Sequence, residues 1–362
     1  MAAYIALPQI DPTVIKPLPL SERTDPAYGD KRSGIISETS TLPAALSPTV
    51  IEGMLRRDLN FNGLIVTDAL NMSGLTLYFN QGEAAVRAVE AGADMLIRPS
   101  DPDATFRGLR QAVQAGRISE KRLDQSVLRI LATKYDLGLV QQRFTSIEQV
   151  DRLLSNRNVN ALAQEISESA VTLVRNDAGL LPLNKLKLNA RVFNLAITNG
   201  DDRLSIAESF ILAMRRGGKP VDTLVLDERS SEEEARQVIE SAQKADITIV
   251  SLYGRVRSGE ARSVGLPKVG ARTLAALIGQ RIPLIAISFG NPYLLLEFPQ
   301  LSTYIVAYGD MPSLQTAAAR ALLGEISFTG RLPISLSSLY PRGTGILLRG
   351  REQERKREKT QR

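Results

Sequence analysis

The stretch Gly63-Leu64-Ile65-Val66-Thr67-Asp68 is a short apolar and β-branched run that ends on a carboxylate, and Ala69-Leu70-Asn71-Met72-Ser73-Gly74 follows at once. Such a run, too short for a buried helix and bounded by turn residues, reads as a strand buried on both faces. It delivers Asp68 to its own C-terminal end. In parallel α/β barrels that end holds the chemistry. Upstream, Ser47-Pro48 sets a good N-cap before a proline at the first helical position, and Val50, Met54 and Leu55 continue with helical spacing to Leu59. Downstream, a helix over Glu83 to Ala91 stops at Gly92, and Asp94 to Arg98 makes the next strand. Helices follow over Asp103 to Ala115 and Ser119 to Leu137, the second closed by Gly138.

Working outward, Met1 to Pro8 reads as a short apolar strand stopped by proline. From Pro8 to Ser47 no periodicity is sustained, and Pro12, Pro17, Pro19, Pro26 and Pro43 mark a long loop. A helical connector over Ser146 to Ser169 leads into a second alternation of strands and helices. Its strands are Thr172 to Arg175, Val192 to Thr198, Thr223 to Leu226, Ile247 to Leu252, Leu284 to Ser288 and Thr303 to Ala307. Helices over Ile206 to Arg215, Ser231 to Gln243, Val269 to Ile278 and Ser313 to Leu323 separate them, which predicts an open, mostly parallel sheet covered on both faces.

Composition narrows the function. Of 362 residues, 43% are apolar and 23% charged, an ordinary globular balance. Cysteine and histidine are both absent, which removes disulfides, thiolate sites and the common zinc ligands. The net charge is +6, but Arg349 to Arg362 holds seven Lys/Arg against three Glu, so +4 of it lies in that stretch and nucleic-acid binding has little support. No apolar run reaches the roughly 18 residues of a membrane span, and the first residues lack the regions of a signal peptide. Location is left open.

A carboxylate at a strand end can displace a glycosidic leaving group and form a covalent glycosyl-enzyme, given a second group about 5 Å away to protonate the leaving oxygen. The same aspartate can equally satisfy a turn or cap a helix. Glu22, Asp25, Asp30 and Glu38 on the long loop are the local candidates for that second group, against the reading of plain solvated charges. Ser288-Phe289-Gly290-Asn291-Pro292 and Thr198-Asn199-Gly200-Asp201 follow strands but fit neither nucleotide-binding glycine pattern, so they read as turns. Asp201-Asp202 reads as helix N-terminal charge rather than a metal pair.

With its flanks, FNGLIVTDALNMSG resembles the nucleophile segment of glycoside hydrolase family 3, and more narrowly its β-N-acetylglucosaminidase branch. The resemblance runs along most of the chain. Met1 to Pro8 is similar to the preceding barrel strand, with Tyr4 where histidine is common, and AVEAGADMLIRPSDP within Gly82 to Leu139 is similar to the last barrel strand and its helices. ESAVTLVRNDAGLLPL, SFGNPYLLLEFPQ and GRLPISLSSLYPRGTGI resemble the family's C-terminal α/β sandwich. The resemblance implies a TIM-type (β/α)8 barrel, present here as its C-terminal part over 1–140, and a complete sandwich over 171–345; the charge- and amide-rich stretch between them reads as a helical linker over 141–170, and the charged run at the end as a basic disordered tail over 346–362. It implies exo-hydrolysis of terminal β-linked N-acetylglucosamine, as in chitin or peptidoglycan fragments, with retention through an Asp68-glycosyl intermediate. Met72 and Arg98 would line the sugar, and no cofactor is implied.

The family branch also uses an Asp/His pair as acid/base and a Lys-His motif on the sugar, both upstream of the nucleophile. This chain has no histidine, and Thr344 stands at another place where histidine is common. The expectation is an N-terminally truncated chain that is a poor enzyme alone. The rival expectation is a non-catalytic remnant whose sandwich serves as a binding or interaction module.

Overall fold

The computed structural model describes residues 1–19, 21, 39–154, 156–187, 189–256 and 265–351. The chain divides into two compact units, Met1–Val150 and Asp151–Arg362. The loop acids Glu22, Asp25, Asp30 and Glu38 lie outside the described residues.

In the first unit, β1 (Val14–Ile15) pairs antiparallel with β2 (Ser40–Thr41). The helix predicted after Ser47 spans Thr49–Asp58 and is of π type, with the Leu59 N–H reaching the Met54 carbonyl at 2.9 Å. Then come β3 (Val66–Ala69), α1 (Ser73–Thr76), α2 (Gln81–Ala91), β4 (Met95–Ile97), α3 (Pro102–Gln114) and α4 (Glu120–Asp136). β3 and β4 are parallel, with Val66 opposite Met95 and Ala69 opposite Ile97. The helix α2 is held at one end by Asn80, whose side chain accepts from the Glu83 N–H, and stopped at the other by Gly92 in the left-handed region at φ 117°. Its alanines, Ala84, Ala85, Ala88 and Ala91, are buried with Ile51, Ile65, Leu70 and Leu75 in one core. Where α2 meets α3 the backbones touch, since a Cβ on Gly108 would fall 2.7 Å from the Gly82 Cα.

One expectation fails here. Met1 to Pro8 is not a continuous strand, and only Ala2 bridges to Thr67, in parallel, and Ala6 to Pro43. Ala2 exchanges hydrogen bonds with Val66 and Asp68, but the Ala3 and Ile5 carbonyls are then taken by Ala45 and Ala44, which draws the chain off β3. Among the described residues, these parallel segments do not close into a barrel.

At the start of β4, Asp94 gathers the N-terminal ends of the pair. Its buried carboxylate accepts from the Ile65 N–H at 2.9 Å, Ser126 at 2.7 Å, Arg56 at 2.7 Å and Arg129 at 3.0 Å. Burial pushes this carboxyl up, but the bonds from Ile65, Ser126 and Arg129 outweigh it and hold the group below the usual aspartate range.

The helix α5 (Ile147–Leu154) joins the units in sequence, and α6 (Arg157–Ala170) opens the second. The strands that follow are β5 (Thr172–Asn176), β6 (Val192–Thr198), β7 (Val221–Leu226), β8 (Ile247–Tyr253), β9 (Leu284–Ser288) and β10 (Thr303–Val306). They form one sheet in the order β5-β10-β9-β8-β6-β7, parallel except for β5 against β10. The intervening helices are α7 (Glu208–Arg216), α8 (Glu232–Lys244), α9 (Lys268–Gly279), α10 (Leu294–Glu297) and α11 (Pro312–Leu322). Alternate strand residues fall into two cores. One contains Ile249, Ile287 and Ile305 with Phe210 of α7 and Leu322 of α11, the other Val250, Ala286 and Val306 with Val238 of α8 and Leu274 of α9. The sheet is thus covered on both faces, and the α/β class read from the sequence holds.

The stretch expected to begin a disordered tail instead packs on this unit. Ile346 donates to the Leu173 carbonyl at 2.8 Å, Leu348 bridges to Phe328, and Arg351 donates to the Gly324 carbonyl at 2.9 Å. Of the apolar Ile346-Leu347-Leu348, Leu348 packs on the core while the other two are exposed, so backbone bonds carry much of the docking, and 352–362 lie outside the described residues. Among the described residues, no helix is long and apolar enough to cross a membrane.

Candidate active site

Asp68 lies half-buried one residue before the end of β3. Its carboxylate accepts from the Ala69 N–H at 2.7 Å, and its own N–H donates to the Ala2 carbonyl at 3.0 Å. The Asp68 carbonyl accepts the Tyr4 hydroxyl at 2.9 Å. Burial, helped by the Asp68 charge, pushes the Tyr4 hydroxyl up to about 12, against the lowering effect of a hydrogen bond with Thr67. Tyr4 therefore stays protonated at neutral pH and serves as a donor, not as a proton relay. The strand β3 is thus braced by a tyrosine where the resemblance puts a histidine.

Arg98 follows β4 directly, and the Ala69–Ile97 pairing sets it at the same end of the strand pair as Asp68. Its side chain is exposed, and its φ of +47° is in the left-handed region. For a residue with a Cβ that conformation costs roughly 1–2 kcal/mol. Met72, 45% exposed, sits in the turn after Asp68, where its N–H donates to the Ala69 carbonyl at 3.2 Å and its carbonyl receives Leu75 at 2.9 Å. Asp68, Met72 and Arg98 are therefore gathered at one end of β3 and β4. Thr344 belongs to the second unit, where its hydroxyl donates to the Pro341 carbonyl at 2.7 Å in a turn.

Sequence reasoning missed a connection between the two strand-end loops. Gln81 opens α2 with only 1% of its surface exposed. Its Nε2 donates to the Leu70 carbonyl at 3.1 Å, and its Oε1 accepts from the Ser100 N–H at 2.9 Å. Thr67 adds a further tie, accepting from the Ile97 N–H at 3.1 Å.

The other acids of this unit with defined partners are engaged elsewhere. Asp11 binds Ser47 and Thr13, and these bonds lower its carboxyl below the usual range. Glu83 and Glu90 pair with Arg117, Asp94 holds its arginines, and Asp101 caps α3. In the second unit, the Asp202 carboxylate is taken up by Arg255 at 2.5 Å, and Arg255 also pairs with Asp310 at 2.6 Å. Asn199, just after β6, both donates to and accepts from the Arg255 backbone, so the predicted turn is locked to the end of β8.

Residues 1–133 match the N-terminal domain of glycosyl hydrolase family 3, and residues 171–342 match its C-terminal domain. The chain belongs to glycoside hydrolase family 3. It is 28% identical over 317 residues to a β-N-acetylglucosaminidase/β-glucosidase of Cellulomonas fimi, covering 85% of this chain and 56% of the relative. A solved family 3 β-N-acetylglucosaminidase from a Paenibacillus species is 30% identical with a TM-score of 0.67, covering 82% of this chain and 55% of that one. A solved β-glucoside phosphorylase is 26% identical with a TM-score of 0.68, covering 93% of this chain and 57% of that one. The chain thus spans about half the length of these relatives.

Proposed function

We propose that this chain carries the nucleophile half of a retaining β-N-acetylglucosaminidase site. In this reading 1–140 are the last part of a (β/α)8 barrel, 141–170 a linker and 171–345 the sandwich. The observation that carries it is Asp68 at the C-terminal end of β3, with its carbonyl held by Tyr4 and the open Arg98 at the neighbouring strand end. The Asp68 carboxylate attacks the anomeric carbon of a terminal N-acetylglucosaminide, the bond to the leaving oxygen breaks, and a glycosyl ester forms. Water then attacks the same carbon and Asp68 departs as carboxylate, giving net retention. Met72 and Arg98 line the sugar. The proton donor that the first step needs is none of Asp11, Glu83, Glu90, Asp94 or Asp101, all of which are engaged. A fluorinated N-acetylglucosaminide that traps the ester tests the reading by peptide mapping. Label on the peptide holding Asp68, lost in Asp68→Asn, is expected, and label on another residue would remove Asp68 as nucleophile.

Arg98 favours a second reading of the second step. An exposed guanidinium beside a glycosyl ester attracts an anionic acceptor, and phosphate attacks without a general base because it is already an anion. A phosphate oxygen then bonds to the anomeric carbon as the Asp68–carbon bond breaks, releasing a sugar 1-phosphate. Added inorganic phosphate that speeds turnover of an aryl glycoside and yields sugar 1-phosphate supports this reading, and free sugar as the sole product at every phosphate concentration excludes it.

A further inference from the structure

The geometry points to Gln81 as a positioning residue that fixes the nucleophile loop against the Arg98 loop. This inference rests on the reading of Asp68 and Arg98 given above. Gln81 donates to the carbonyl of Leu70, two residues beyond Asp68, and accepts from the N–H of Ser100, two residues beyond Arg98. Only one orientation of the amide satisfies both partners, a carbonyl on one side and an N–H on the other. A methionine or leucine would fill the same volume, so what the buried amide adds is direction. Both bonds run to backbone and therefore act on the paths of the two loops, not on one side-chain rotamer.

Arg98 makes such a restraint necessary. Its left-handed φ of +47° is a conformation that persists only where the surroundings over-determine it, and the bond from Ser100 to Gln81 is one of the restraints on that turn. On the other side Leu70 is fully buried, with its N–H given to the Ile97 carbonyl at 2.8 Å and its carbonyl to Gln81. The peptides after Asp68 and after Arg98 are thereby spaced by one side chain, which sets where a sugar attacked by Asp68 meets the cation. Gln81 touches no substrate in this scheme. It acts through the two loops.

The experiment compares the full chain with Gln81→Met and Gln81→Glu by amide hydrogen exchange and by the rate of fluoro-sugar labelling. In Gln81→Met, peptides over 69–73 and 98–101 are expected to exchange together about 10-fold faster while the second unit stays protected. Labelling at Asp68 is expected to fall about 10- to 100-fold, as small misplacements of reacting groups do. Gln81→Glu supplies a second readout, because its neutral carboxyl can donate and accept as the amide does, whereas its carboxylate would face the Leu70 carbonyl oxygen. Burial and that oxygen raise the introduced group's pKa, so both properties should return toward wild type as pH falls, a profile absent in Gln81→Met. If Gln81→Met unfolds the first unit, the recovery of Gln81→Glu at low pH decides. Exchange that rises in one loop alone, or a Gln81→Glu profile parallel to wild type, overturns the inference. Wild-type protein that is never labelled at Asp68 would instead sink the glycosidase reading, with the coupling of the loops still decided by exchange.

Discussion

Asp94 stands immediately before β4 and Asp68 one residue before the end of β3, so the two carboxylates of this parallel pair lie at its opposite ends. Their surroundings differ as much as their places. Asp94 is saturated by a backbone N–H, a serine and arginines, whereas among the described residues the Asp68 carboxylate receives only its neighbour's N–H. In parallel α/β architecture, the N-terminal end of the strands serves stability and the C-terminal end serves chemistry.

Asp94→Asn should therefore destabilise the first unit by about 3–5 kcal/mol, because Arg56 is left buried without its counter-charge. The folded pKa of Asp94 is depressed, so its contribution is complete above the unfolded value near 3.9 and is lost as pH falls through the lower folded value. Urea midpoints measured from pH 7 to pH 2 should drop steeply below about pH 4 in the wild type, and less in the variant. Equal slopes would mean that other acids dominate.

Tyr4→Phe should cost about 1 kcal/mol and slow the labelling of Asp68, since the Asp68 carbonyl loses its donor. The Tyr4 pKa is raised to about 12, so its contribution is complete below the unfolded value near 10 and disappears as pH climbs toward 12. Ultraviolet titration of tyrosinate against the Phe variant should find one late-titrating group missing. A normal Tyr4 titration would contradict the burial of its hydroxyl.

Arg98→Gly should leave the fold intact or stabilise it by up to about 1 kcal/mol, because glycine takes the left-handed conformation freely. The same change should weaken sugar or phosphate binding. Thermal unfolding and KM measured on one preparation separate the two effects. A stability loss above 1 kcal/mol would show that the arginine side chain supports the fold.

Aryl glycosides with good leaving groups should be the substrates on which turnover by this chain is first seen. Their departure needs little protonation, and general acid assistance is worth about 10²–10⁴-fold for poor leaving groups. Rapid cleavage of unactivated chitobiose by the purified chain would require an acid that the engaged carboxylates do not supply.

The strands of the second unit were readable in sequence because runs such as Ile247-Thr248-Ile249-Val250-Ser251-Leu252 are buried on both faces and bounded by turns. The position of Asp68 near a strand end was readable because the apolar run is short and turn residues follow it, although β3 starts later, at Val66, and ends one residue on, at Ala69. Met1 to Pro8 was misread because an apolar run looks the same whether its backbone pairs along a strand or is diverted by a neighbouring turn, as Ala44 and Ala45 divert Ile5 and Ala3. Gln81 left no signal. Its partners are backbone groups 11 and 19 residues away, and a polar residue after Asn80 reads simply as the first turn of a helix. The π geometry of Thr49–Asp58 likewise shares its apolar spacing with an ordinary helix.

The bond from Ile346 to Leu173 has a practical consequence for anyone trimming this protein. β5 is the last strand on its side of the sheet, and the segment from Ile346 to Arg351 meets it through Ile346 before going on to Phe328 and Gly324. Cutting the second unit at residue 345, where the sequence alone would place its boundary, removes the donor to the Leu173 carbonyl and the partner of Phe328, and leaves the border at β5 more open to other chains. A soluble version of this half should retain Arg351. One that ends six residues earlier is expected to self-associate, even though every helix and strand of the sheet is still present.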